Sequence, residues 1–168
     1  MPDLKYKLGI LTVSDKGSQG KRRDTSSEAI RGTLLQTDFA VSAYEIVPDE
    51  IELIVDKLSS WADADEIDVI LTTGGTGLSP RDVTPEATLS VIDKLIPGFA
   101  EAMRAESMKI TSRAMLSRAV AGARKNCLII NLPGSPKAAR ECLDIILPAL
   151  PHAVDILRSH VNECAVSD

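Results

Sequence analysis

Aromatic residues are scarce: two Phe, two Tyr and one Trp make up 3% of 168 residues, so the interior has to be assembled from Leu, Ile, Val and Ala. Cysteine is scarce too. Cys127, Cys142 and Cys164 are odd in number and too far apart for a zinc pattern, which argues for reduced, mostly buried thiols and against a disulfide framework. No apolar run approaches the roughly 18 residues of a membrane span. The N-terminal MPDLKYK carries charges but no apolar h-region, so it does not read as a signal peptide. A basic excess is also missing. With a net charge of −5, the chain lacks the basic face that duplex binding needs to displace counterions. The expectation is a cytoplasmic protein with no membrane and no nucleic-acid partner. A small anionic ligand stays open, because it needs only a local positive site.

At 44% hydrophobic and 26% charged, residues 1–168 read as a single domain able to bury its own core. Short apolar runs rich in β-branched residues mark strands at Lys7–Val13, Ala40–Val47, Ile67–Thr73 and Cys127–Leu132. Helical patterns lie between them. Thr25 and Glu28 form a capping box leading into Ile30, Thr33 and Leu34. Ile51, Ile54, Val55 and Leu58 recur at helical spacing, as do Leu89 and Ile92, and then Phe99, Ala102 and Met103. A longer stripe runs Ala139, Cys142, Leu143, Ile146, Leu147, Leu150, with a kink expected near Pro148. Such alternation implies an α/β fold with a mostly parallel sheet and helices on both faces. Ligands in these folds bind at the carboxyl ends of strands.

Two loops sit at such ends. In ILTTGGTGLSPRDVTPEAT, residues 70–88, Gly74, Gly75 and Gly77 use three of the chain's 10 glycines. Thr84 is the expected N-cap of the next helix and Pro85 its first residue. NLPGSPKAA, residues 131–139, repeats the grammar with Ser135 as N-cap and Pro136 following. Helix N-termini favour phosphate, and glycines let a backbone approach a ligand closely. One such loop is an ordinary connection; two in one sheet, one of them triply glycine-bearing, point to an anion- or nucleotide-binding domain. No window fits G-x-x-x-x-G-K-[ST], and no G-x-G-x-x-G follows the first strand, which disfavours a P-loop and a dehydrogenase-type site.

GILTVSDKGSQGKRRD, TTGGTGLSPRDVTPEAT, MLSRAVAGARKNCLIINLPGSPKAAREC and ILPALPHAVDIL together resemble the molybdopterin adenylyltransferases of molybdenum-cofactor biosynthesis, a family related to the G domain of gephyrin. The likeness runs from about Leu8 to about Leu157. It implies a three-layer α/β/α, molybdopterin-binding-like fold assembled as a homotrimer. It also implies transfer of AMP from Mg-ATP to the terminal phosphate of molybdopterin, with pyrophosphate released and the product handed to a molybdenum-insertion protein. Mg²⁺ is the implied cofactor, and ATP and molybdopterin are the substrates.

By the same resemblance Asp82 is catalytic and metal-binding; locally, it also suits a place before a helix N-terminus. Asp49 takes the family's second aspartate position. Its neighbours, VPDEIELIVDKL, read as a helix N-cap with Glu52 three residues on, so the local reading accounts for it fully. Gly74, Gly75, Thr76 and Gly77 match the family's phosphate loop, and Pro133, Gly134, Ser135 and Lys137 its second loop. Ser14 and Asp15 match a Ser–Asp pair at the cleft, although Ser–Asp is also ordinary turn chemistry. Lys21, Arg22 and Arg23 read as a solvated loop. Arg118 and Arg124, in the run Ser117, Arg118, Gly122, Arg124, read as surface salt bridges. His152 and His160 read as packing or solvent groups, and Met103, Met108 and Met115 as core and interface fillers. Two further functions compete with the enzyme: a non-catalytic molybdopterin-binding paralogue and an assembly scaffold.

Overall fold

A computed structural model of the protein describes residues 6–158; His160 and Cys164 lie outside the described residues. In chain order the elements are β1 (Tyr6–Val13), α1 (Asp15–Ser18), α2 (Thr25–Leu34), β2 (Phe39–Val47), α3 (Ile51–Asp63), β3 (Val69–Thr73) and α4 (Thr84–Val91). They continue with β4 (Lys94–Leu95), α5 (Pro97–Met108), a 3-10 turn (Ser112–Leu116), β5 (Ala121–Arg124), β6 (Cys127–Leu132), α6 (Pro136–Ile146), a second 3-10 turn (Leu147–Ala149) and α7 (Leu150–Leu157).

The six strands form one sheet in the order β2-β1-β3-β6-β5-β4. β2, β1, β3 and β6 are mutually parallel, and β5 runs antiparallel to both its neighbours. Alternate residues of the central strands feed two separate cores. Leu8, Ile10, Val69, Leu71, Leu128, Ile130 and Leu132 pack with Ile30, Met103, Leu143, Ile146 and Val154 on one face. Leu11, Val13, Ile70, Cys127 and Ile129 pack with Ile54, Leu58, Ala87 and Val91 on the other. The strict period of two explains why these strands read as unbroken apolar runs. Each fully buried Leu or Ile contributes about 1.5–3 kcal/mol, and truncating one, as in Ile130→Ala, costs about 2–5 kcal/mol.

Several sequence expectations shift. The expected strand 67–73 begins at Val69; just before it the Asp68 carboxylate accepts the Lys7 N–H at 2.7 Å. β4 and β5 had no apolar signature: β4 is two exposed residues and β5 reads AGAR. Gly122 in β5 admits the Lys94 carbonyl and the Ile92 side chain, space that a Cβ would occupy. The stripe expected to kink near Pro148 does so: α6 passes through the 3-10 turn Leu147–Ala149 directly into α7, since Pro148 offers no N–H and its ring crowds the preceding turn. Asp24, not Thr25, caps α2, its side chain accepting from Ser27 N–H. Met103 is buried, whereas Met108 and Met115 are exposed, as is His152.

Candidate active site

The register brings four strand ends to one level: Val47 pairs with Val13, Thr12 with Thr73, and Thr73 with Leu132. The loops that leave them carry Asp49, Ser14–Asp15, the glycine segment and Pro133–Ser135. They surround a cleft of about 780 Å³ lined by Ser14, Asp49, Gly74, Gly75, Asp82, Gly134 and Ser135, together with Thr12, Arg22, Arg23 and Asp24.

The glycines are explained first by protein neighbours. Gly74 (φ 98°) packs against the Val13 carbonyl and Gly75 (φ 67°) against the Thr84 hydroxyl, and both lie in the left-handed region that favours glycine. A Cβ on Gly134 would lie 3.2 Å from the Gly74 Cα, so the two loops meet backbone to backbone. A Cβ on Gly77 would lie 2.8 Å from Asp82 Oδ2, and one on Gly75 would lie 3.3 Å from Asp49 Oδ1. Both aspartates therefore flank the glycine segment.

Thr84 is not the N-cap. Val83 occupies that position without a side-chain bond. Thr84 instead donates its hydroxyl to Gly74 O (2.9 Å) and its N–H to Gly75 O (3.1 Å), tying the start of α4 to the glycine segment. Pro85 follows as the second helical residue. Asp82 closes a short turn: its N–H donates to Ser79 O and its Oδ2 accepts from Ser79 N–H, both at 2.9 Å.

Asp49 does not cap α3 either. Glu50 holds that position without a side-chain bond. Asp49 and Asp15 bond reciprocally, each carboxylate accepting the other's backbone N–H, at 2.8 and 3.0 Å. Burial raises the Asp49 pKa, and the negative charges of Asp15 and Asp82 push the same way against the Asp15 N–H. Asp15 has the opposite bias: Arg81 grips it through Nε (3.0 Å) and Nη2 (2.8 Å) and holds its pKa below the ordinary value, helped by the Asp49 N–H. Arg81 also reaches Glu50 at 2.9 Å.

Asp49 Oδ1 and Asp82 Oδ1 accept no hydrogen bond among the described residues, so each carboxylate keeps a free anionic oxygen. No group of three or more His, Cys, Asp or Glu among the described residues is placed to hold a metal. Two carboxylates completed by phosphate oxygens is the donor set that suits Mg²⁺, and the residues present fit it.

The remaining expected residues divide. Ser14 and Ser135 cap α1 and α6, accepting from Gly17 N–H and Ala138 N–H. Asp15 stands at the rim, held by Arg81. Thr76, Gly77 and Pro133 line a smaller, mostly apolar cavity of about 290 Å³ on the other side of the loops. Lys137 is exposed, 3.9 Å from Glu141, and does not line the cleft.

Residues 9–152 match the family model described as a probable molybdopterin binding domain. The chain belongs to this family. It is 46% identical over 163 residues to a molybdopterin adenylyltransferase of Helicobacter pylori strain J99, covering 93% of this chain and 92% of that protein. It is 44% identical over 162 residues to gephyrin of Dictyostelium discoideum, covering 90% of this chain but 22% of that longer protein. The crystal structure of a molybdopterin biosynthesis enzyme from Thermus thermophilus superposes with a TM-score of 0.87 at 54% identity, covering 92% of this chain and 97% of that one. The six-stranded, mostly parallel sheet is thus the molybdopterin-binding fold.

Sequence reasoning missed Asp24 and the backbone bonds of Arg118. Asp24 lines the cleft and accepts from the hydroxyls of Thr12 (2.6 Å), Tyr44 (2.7 Å) and Ser26 (2.9 Å) and from Ser27 N–H (3.0 Å). Burial opposes its charge, but these bonds win and lower its pKa. Its lone pairs are filled, so it organises the wall and offers little to a ligand. The cue was present in DTSSE, where the residue before Thr25 is itself a good cap. Arg118 does form an ion pair, with Glu86, but it also donates to the carbonyls of Gly77 and Asp82. Arg124 does form the expected bridge, bidentate to Asp63, whose pKa it lowers. Arg22 and Arg23 are exposed, yet among the described residues they are the only cationic ones lining the cleft. Arg23 is paired with Glu28, whereas Arg22 has no partner among the described residues.

Proposed function

We propose that this protein transfers the AMP group of ATP to the terminal phosphate of molybdopterin, releasing pyrophosphate, in molybdenum-cofactor biosynthesis. The observation that carries the reading is the pair Asp49 and Asp82, each with one free carboxylate oxygen, on either side of a glycine segment at the cleft floor.

The attacking group, a phosphate oxygen, is already anionic, so the reaction needs no side-chain nucleophile and no strong base. Among the described residues the cleft's lining contains no His, Cys or Lys, in keeping with direct transfer between phosphates. The task is to bring two anions together, which rests on positioning and charge neutralisation. Asp49 and Asp82 would hold Mg²⁺, which supplies positive charge between the reacting phosphates. Gly74, Gly75 and Gly134 keep the floor free of side chains, and Ser135 starts α6, whose N-terminal field points at an anion in the cleft. Arg22 is the free cation for the pyrophosphate end of the nucleotide.

The protein also works as a homotrimer in this reading, supported by Met108, Ile110, Met115 and Leu116, exposed apolar side chains close in sequence. Light scattering behind gel filtration is expected to give three times the chain mass. No helix among the described residues is long and apolar enough to cross a membrane.

The decisive experiment incubates the protein with molybdopterin, ATP and Mg²⁺, following pyrophosphate and the adenylylated pterin by mass. Product that requires all three components supports the enzyme. Tight pterin binding without product would mark a carrier and overturn it.

A further inference from the structure

Asp82 sits on a segment that has almost no core packing. Leu78 is 65% exposed, and Ser79, Pro80 and Arg81 are exposed beside it. Something other than apolar burial must hold this carboxylate in place. Arg81 anchors the outer rim to Asp15 and Glu50, but through an exposed side chain and ion pairs open to screening.

Arg118 is different. It reaches the segment from the stretch between the 3-10 turn and β5, and it bonds mainly to backbone. Its N–H donates to Thr76 O at 2.9 Å, its Nε to Gly77 O at 2.7 Å and its Nη2 to Asp82 O at 2.7 Å, while Nη1 pairs with Glu86 in the first turn of α4. One planar guanidinium thus fixes two carbonyls five residues apart, together with the helix that follows them. Because the donor fork is rigid, the separation and orientation of the segment's two ends are set by a single group. Inside this clasp the Asp82 carboxylate is confined between Ser79 N–H and the space where a Gly77 Cβ would stand.

We infer that Arg118 is a positioning residue for AMP transfer: its guanidinium clasps the segment 77–82 and thereby aims the free oxygen of Asp82 into the cleft. The inference rests on the reading of Asp82 as a metal-facing carboxylate. It extends that reading to a residue that touches neither substrate nor metal.

The test uses the full chain and compares wild type with Arg118→Ala, Arg118→Lys and Glu86→Gln. Hydrogen exchange of the ligand-free proteins comes first, since it is independent of turnover. Amides in 77–82 are expected to exchange faster in Arg118→Ala, with those of β3 and β6 unchanged. In the adenylylation assay kcat is expected to fall about 100-fold, the scale set by a misplacement of about 1 Å. The molybdopterin KM should hold while the Mg²⁺ concentration for half-maximal rate rises. Arg118→Lys should not restore the rate, because an ammonium cannot bridge two carbonyls in fixed geometry. Millimolar guanidinium should partly restore Arg118→Ala. Glu86→Gln, which removes only the outer anchor, should shift the same quantities less, and it carries the test if Arg118→Ala does not fold. Unchanged exchange in 77–82, or a kcat loss that guanidinium does not relieve and that follows a falling melting temperature, would overturn the clasp. A wild-type protein that makes no adenylylated pterin would overturn the proposed function alone, with exchange still deciding the clasp.

Discussion

Replacing Asp82 by Asn isolates one atom. The Asn carbonyl oxygen can keep accepting Ser79 N–H, so the turn at 79–82 survives, and with it a hydrogen bond worth about 0.5–1.5 kcal/mol. The clasp by Arg118 uses the Asp82 backbone carbonyl and is untouched. What disappears is the free anionic oxygen. Removing one preorganised group from the site of developing charge costs about 2.7–4 kcal/mol. At 1.36 kcal/mol per decade, that is a fall in kcat of roughly 10²–10³-fold. The cost falls on chemistry, so molybdopterin affinity should hold, and the melting temperature should stay level or rise, because one of two neighbouring negative charges is gone.

The assay pairs pyrophosphate release under saturating ATP and molybdopterin with calorimetry and a pterin-binding titration on the same preparation. Turnover close to wild type would refute the role of Asp82. A lost activity that comes with a lowered melting temperature would refute the claim that only one oxygen matters. In that case the residue would be structural, a turn-former before α4.

Three further outcomes follow from the same geometry. Gly77→Ala should lower turnover, because the new Cβ meets Asp82 Oδ2, the oxygen held by Ser79 N–H, at 2.8 Å and must displace it; activity equal to wild type would show that this carboxylate has room to spare. Arg22→Ala should raise the ATP KM and weaken pyrophosphate inhibition, with molybdopterin binding intact, and unchanged nucleotide kinetics would remove Arg22 from the site. Cys127, 1% exposed and with its thiol pKa pushed up to about 12 by burial and by the charge of Asp68, should stay unreactive to a thiol reagent in native protein and react on denaturation; rapid native labelling of Cys127, mapped by mass, would contradict its packing.

The parts of the fold that were legible in sequence are those whose physics is local or uniform. β1, β3 and β6 are buried on both faces, so most positions are apolar and no partner need be known to see a strand. β5 was invisible because its small residues are chosen by what packs against them: Gly122 yields space to Lys94 and Ile92. The starts of α2, α3, α4 and α6 were legible to within a residue, but three assignments of capping side chains failed. Thr25 gave way to Asp24. Thr84 gave its hydroxyl to Gly74, and Asp49 turned to Asp15. Ser135, with no tertiary claim on its hydroxyl, capped its helix as expected. The ion pair of Arg118 was legible and forms with Glu86, but its clasp on the backbone was not. Its acceptors are carbonyls some 40 residues away, and a carbonyl leaves no mark in a sequence.

The failure at Asp49 carries its own energetic argument. A side chain that abandons its N-cap leaves α3 without a bond worth typically about 1 kcal/mol. Burial and the charges of Asp15 and Asp82 then raise its pKa, so the folded state binds a proton more tightly than the unfolded one. For an acid with a raised folded pKa, stability falls as pH rises from the ordinary aspartate value near 3.8 through the folded value, and the full penalty remains at neutral pH. Asp15 works in the opposite sense: its lowered pKa adds stability above the unfolded value that is lost only as pH falls through the folded one. Asp49→Asn should therefore raise the melting temperature at neutral pH and lose that advantage in acid, while adenylylation collapses. A variant less stable than wild type at neutral pH would mean that the reciprocal bond with Asp15 outweighs the buried charge. Asp49 would then be a structural link between α1 and α3 before it is anything else.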